Sequence, residues 1–275
     1  SMKQILLPIC CAALALAAVS CGNKTDNAVD QVQSAFDQDC LYQVSTIQAL
    51  MEGDYYGQMT VEDFLKRGDI GIGTLDGADG EMIVLDGVCY KALVDGTVAK
   101  VAKDETVPYG VVTTFNADYT VELSDTLSMP ELTAALDSVV AKNATPNAFV
   151  VCKIKGTFPK MNFRSIAKQQ EPYVPFIEVV AKDSKKYEYE NLEGTLIAFY
   201  CPPYVGGVNM PGWHLHFLSN DASKGGHVLD LTMAKGTAQI DRTDAFCMYL
   251  PNDDVFKNAN LLDKEEVIEI TESAK

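Results

Sequence analysis

From residue 40 onward, apolar side chains come in short runs cut by glycine, proline and acidic turns, the rhythm of strands rather than of long helices. Segments 109–115, 148–158, 175–180, 194–202, 213–218 and 226–233 are rich in β-branched or aromatic residues between turn signals, and each predicts a strand. The block 71–87 predicts a Gly/Asp-rich turn running into an apolar strand, with residues 89–93 as its hairpin partner. Helices are expected in four places. Leu41, Val44, Ile47, Leu50 and Met51 recur at helical spacing; Thr60 opens a capping box ahead of Phe64 and Leu65; segments 129–142 and 264–273 also read as helices. This distribution predicts an α+β class, strand-rich, with mixed or antiparallel sheets rather than a regular βαβ alternation. The polar stretch Gln169-Gln170-Glu171-Pro172 predicts a boundary between an N-terminal α+β domain, 38–170, and a C-terminal domain, 171–275.

Residues 1–20 stand outside that pattern. Lys3 precedes an apolar run, 5–18, and small residues lead up to Cys21, so 1–20 is expected to be an export signal and 21–37 a polar tether. The run Cys21-Gly22-Asn23 resembles a bacterial lipoprotein start, with Cys21 acylated as the membrane anchor. Ala18-Val19-Ser20 also fits ordinary small-x-small cleavage and secretion. Either route places the protein outside the cytoplasm. Cys40, Cys89, Cys152, Cys201 and Cys247 remain, widely spaced and without a C-x-x-C pair, which predicts small buried hydrophobes rather than a disulfide framework or a thiolate zinc site. A single disulfide stays open. The formal charge of −16 argues against nucleic acid, whose binders need clustered Lys and Arg.

All three histidines fall within one stretch of eighteen residues, WHLHFLSNDASKGGHVLD. Side chains alternate across a strand, so His214 and His216 share one face while Trp213, Leu215 and Phe217 share the other. The polar turn after Leu218 then brings His227 back on a neighbouring antiparallel strand, giving a zinc site on a β-hairpin. Three imidazoles leave a fourth zinc position for water or substrate, the pattern of a catalytic site; ligand type alone also admits Cu, Fe or Ni. Two other readings use the same imidazoles: a cupin-like metal lyase or oxygenase, and a lipoprotein that only captures zinc. A cupin would normally carry a Glu shortly after His-x-His, where this chain has Asp221.

Further motifs agree in order and spacing. Leu41-Tyr42-Gln43-Val44-Ser45-Thr46-Ile47, then Ala49-Leu50-Met51 and Gly53, the block 71–87, and Gly225-Gly226-His227-Val228-Leu229-Asp230 after His-x-His together resemble bacterial acetolactate decarboxylase, from about Leu41 to the C-terminus. The resemblance implies zinc held by His214, His216 and His227, and an active-site arginine at Arg164, following Lys153-Ile154-Lys155-Gly156-Thr157-Phe158. It implies an active-site glutamate at Glu81 with Thr74 in the same loop, and a second glutamate near the chain end, Glu272 or Glu269. It further implies a homodimer, no organic cofactor, and a small 2-hydroxy-3-keto acid as substrate.

Overall fold

The computed structural model describes residues 39–143 and 145–261. Its first elements depart from the helical spacing of Leu41 to Met51. Leu41 and Val44 lie on β1 (Cys40–Val44), which is hydrogen-bonded on both sides and buried on both faces, so tertiary pairing overrides periodicity there. Ser45, at φ 61°, turns the chain out of the strand. The Thr46 hydroxyl then accepts from the Ala49 N–H at 3.1 Å and starts α1 (Ile47–Met51).

β2 (Met59–Thr60) leads to α2 (Val61–Leu65), where the expected cap forms: the Asp63 N–H donates to Thr60 Oγ1 at 3.1 Å. Then follow β3 (Ile70–Gly73), the expected hairpin β4 (Glu81–Leu85) and β5 (Val88–Ala92), β6 (Val98–Lys100), β7 (Thr106–Val107) and β8 (Gly110–Thr113). After β9 (Tyr119–Leu123) and β10 (Leu127–Ser128), α3 (Met129–Asn143) occupies the expected helical segment. β11 (Phe149–Ile166) is followed by α4 (Phe176–Asp183), where the composition of residues 175–180 predicts a strand. Pro175 stands at the N-cap, Glu178 lies in the first turn and Lys182 in the last, and these two pair at 3.0 Å; such end signals decide a short apolar run that periodicity alone leaves ambiguous. β12 (Ser184–Cys201), β13 (Gly212–Ser219), β14 (Gly225–Met233), β15 (Lys235–Thr243), β16 (Ala245–Tyr249) and α5 (Asp254–Asn258) complete the described chain.

Two seven-stranded sheets result, in the orders β16-β1-β8-β3-β4-β5-β6 and β10-β14-β13-β12-β11-β15-β9. Only β1 and β16 pair in parallel among the strand pairings of the described residues. β11 and β12 pair along almost their whole length, so the segment around Gln169–Pro172 joins two strands of one sheet. β14 pairs with both β13 and β11, and the circuit β11-β12-β13-β14 closes on itself. Leu41, Ile72, Ile83 and Val111 from the first sheet meet Val151, Ile197, Phe199 and Leu218 from the second in one buried layer. α3 covers the outer face of the second sheet through Leu132, Leu136 and Val140, and α2 covers that of the first through Phe64. The five cysteines among the described residues are free, four of them buried as expected and Cys247 exposed. Segments 1–37 and 264–273, with Cys21, Glu269 and Glu272, lie outside the described residues.

Candidate active site

The register of three strands assembles the site. Arg164 on β11 stands opposite His227 on β14, and His227 stands opposite His216 on β13. His214 lies two residues back on β13, on the same face as His216, while Leu215 and Phe217 enter the core beneath, as alternation predicts. β14 needs a further device. Its register against β11 shifts between Asn162 and Phe163, so Leu231, Met233 and Val228 all face the core although their parities differ. The bulge therefore turns His227 out of that core and toward the other histidines. Gly226, at φ +149°, is required beside it: a Cβ there would sit 3.0 Å from the Arg164 carbonyl oxygen and 3.1 Å from Phe163 Cβ.

The fourth group arrives from the other sheet. Glu81 opens β4 directly after Gly80, whose φ of +75° and approach to the Ala92 carbonyl, 2.5 Å from a built Cβ, exclude a side chain. Thr74 Oγ1 donates to the Gly80 carbonyl at 2.8 Å and fixes the turn that aims Glu81. Glu81 Oε1 then lies 3.9 Å from Arg164 Nε, and Oε2 lies 3.7 Å from His216 Nε2. The predicted residues His214, His216, His227, Arg164, Glu81 and Thr74 all line one pocket. Sequence reasoning missed its remaining wall, which includes Ile47, Leu50, Met51, Tyr109, Ile166 and Phe176. The apolar pattern of residues 47–51 is visible in sequence, but nothing in it indicates a cavity.

Burial sets the charges here. His214 is pushed down to about 4, by burial first and by the Arg164 charge second. His216 and His227 are held well below the ordinary imidazole range, again chiefly by burial. All three are neutral near pH 7, so the contact between His216 and Glu81 is not an ion pair. Glu81 moves the other way: burial raises its carboxyl to about 7, against a lowering pull from Arg164. His216 Nδ1 sits 2.9 Å from the Met82 carbonyl oxygen, to which it donates, leaving the Nε2 lone pair directed at the cluster; that Nε2 is buried without a hydrogen-bond partner, as is Glu81 Oε1. His214 Nε2 and His227 Nδ1 approach to 3.0 Å. The ligand atoms of the three histidines lie within 4.8 Å of one another, a donor set that fits a single metal ion.

Neutral imidazoles converging beside a buried guanidinium and a buried carboxyl, in a pocket lined elsewhere mainly by apolar side chains, form a candidate enzyme site able to hold a metal ion. Comparison with known proteins then gives the family. Residues 41–263 match the family described as alpha-acetolactate decarboxylase. The chain is 44% identical over 223 residues to the alpha-acetolactate decarboxylase of Methanosarcina mazei, covering 81% of this chain and 76% of that protein. It is 40% identical to that of Lactococcus lactis subsp. cremoris, covering 78% and 89%. The crystal structure of alpha-acetolactate decarboxylase from Bacillus subtilis strain 168 superposes with a TM-score of 0.81 at 34% identity, covering 85% of this chain and 99% of that one. The chain belongs to the alpha-acetolactate decarboxylase family.

Proposed function

We propose that this protein converts 2-acetolactate to acetoin and CO2, using zinc held by His214, His216 and His227. The observation that carries this reading is the convergence of Arg164 and Glu81 on the three histidines. A zinc store would have no use for either side chain, and the family membership sets the cupin-like alternative aside.

2-Acetolactate bears a carboxylate and a hydroxyl on one carbon and a ketone on the next. When the bond to the carboxylate breaks, its electron pair spreads onto the adjacent ketone oxygen, and one proton must be added to leave acetoin. Zinc, when bound, supplies Lewis-acid stabilisation of that oxygen charge, so no organic cofactor is needed. Arg164 holds a substrate carboxylate or oxygen through its fixed fork of donors and is itself fixed by its strand register opposite His227. Glu81, its carboxyl held near 7 by burial, can carry a proton at neutral pH and give it to one face of the substrate carbon. The carboxyl then regains its proton from water. Glu272, or Glu269, is the second acid of this reading. Purified protein should form acetoin from 2-acetolactate and lose that activity to a chelator; absence of acetoin from the metal-loaded protein would overturn the assignment.

Export and anchoring through Cys21 remain the reading of the leader; no helix among the described residues is long and apolar enough to cross a membrane. Detergent partitioning of the Cys21→Ser protein, expressed with its own leader, tests it. The homodimer is best served by β16, an edge strand with Phe246, Tyr249 and neighbouring Leu250 exposed and no charged side chain within it. Its Ala245 N–H and Tyr249 carbonyl point toward β1, so by alternation the groups of Phe246 and Met248 point outward. Antiparallel pairing of two copies about Cys247 would match Phe246 of each with Met248 of the other.

A further inference from the structure

The pocket has two chemically distinct sides. Its polar side is the constellation already described. Its apolar side is formed by Ile47, Leu50 and Met51 on α1, Ile166 at the end of β11 and Phe176 at the start of α4. These belong to one buried cluster that continues outward to Tyr55 and Val179, so the wall is packed from behind. Tyr109 joins it with its ring; its hydroxyl is occupied, donating to Asn209 Oδ1 at 3.0 Å. This side therefore offers a substrate only apolar surface.

We propose that Met51 and Phe176 set the largest alkyl group that the site accepts on the hydroxyl-bearing carbon of its substrate. The inference rests on the decarboxylase reading above. All the polar functions of a 2-hydroxy-3-oxo acid sit on adjacent carbons, and among the described residues of the pocket the charged and imidazole groups able to receive them lie on the polar side. Whatever alkyl substituents remain must face α1 and α4. Phe176 is the largest aliphatic or phenyl side chain on that wall, and Met51, unbranched and adaptable, closes the end of α1; both are buried. A methylene too many against a packed wall of this kind is discriminated by roughly 10- to 200-fold.

The test compares kcat/KM for 2-acetolactate, which bears a methyl group on that carbon, with kcat/KM for its ethyl and propyl homologues. It uses the zinc-loaded parent and the variants Met51→Ala, Phe176→Leu and Phe176→Ala. The ratio of the propyl to the methyl substrate should rise about tenfold or more in at least the Phe176 variants. Because each ratio is measured within one preparation, a partly unfolded sample does not alter it, and Phe176→Leu supplies a milder change should the alanine variant fail to fold. If the parent makes acetoin and every folded variant keeps the parental ratio within twofold, the inference is overturned and the decarboxylase reading stands. If the parent leaves 2-acetolactate untouched, both fall.

Discussion

Asp241 offers a quantitative check on the electrostatics of the second sheet, far from any metal ligand in sequence. It lies on β15 with only 3% of its surface exposed, and Oδ2 accepts one hydrogen bond, from the Asn116 N–H at 3.0 Å. Burial raises its carboxyl from 3.8 to about 7; the Asn116 N–H opposes this, and the nearby charges of Asp118, Asp39 and Asp69 add to it. A folded-state value above the unfolded one means that the native protein holds this proton more tightly. The associated stability is complete below pH 3.8, falls as pH rises between 3.8 and about 7, and is gone above 7. At about 1.4 kcal/mol per unit, the charged form costs at most about 4 kcal/mol, and about 2–4 kcal/mol once water reaching the carboxylate is allowed for.

Asp241→Asn keeps an acceptor for the Asn116 N–H and cannot ionise. Relative to the parent it should be nearly neutral at pH 4 and more stable at pH 8, by about 5–10 °C in melting temperature for a chain of this size. Scanning calorimetry of both proteins at each pH measures the difference directly, and effects of metal loading cancel between them. An equal shift at pH 4 and pH 8, or a lower melting temperature for the Asp241→Asn protein at pH 8, would refute the reasoning.

Three further outcomes follow from the site and the sheet edge. His216→Ala should lose most of its bound zinc by elemental analysis, since a buried Nε2 held in one tautomer by Met82 is removed; full zinc content would sink the ligand assignment. Arg164→Ala and Glu81→Gln should keep their zinc and lose at least about a hundredfold in acetoin formation, the scale of a positioned donor, and near-parental rates would remove both from the mechanism. Mild oxidation should cross-link the parent through Cys247 and leave Cys247→Ser monomeric on a denaturing gel, because the proposed β16 pairing sets the two exposed thiols opposite each other; no cross-link would argue against that edge as the dimer contact.

The parts of this fold that are legible in sequence are those decided within a few residues. The alternation that separates His214 and His216 from Leu215 and Phe217 is a property of any strand, and the Thr60 cap and the β4–β5 hairpin are equally local. Errors arise where a distant partner decides, or where local end signals and composition disagree. Leu41 and Val44 carry a helical spacing, but β16 and β8 claim the segment as a strand from both sides. Pro175 and the pair Glu178 and Lys182 point to a helix, yet the β-branched run they flank reads as a strand on composition alone.

The site itself divides along the same line. Its histidines announce themselves because all three fall on one pair of adjacent strands, and short range in sequence is also short range in space. Arg164 and Glu81 carry no such signal: read alone, each is an ordinary charged residue, and only a resemblance could select them. Their meaning comes from two facts of register. β11 places Arg164 opposite His227, and the packing of the first sheet on the second brings β4 close enough for Met82 to accept from His216 while Glu81 faces its other nitrogen. One backbone carbonyl and one side chain, adjacent in sequence, thus fix the tautomer of an imidazole placed to hold a metal and set an acid beside it. A one-residue shift of β4 would turn the Glu81 side chain to the other face of the strand and take the acid away from His216, so the Thr74 hydroxyl and Gly80, which lock that turn, are as much a part of the site as Glu81 itself.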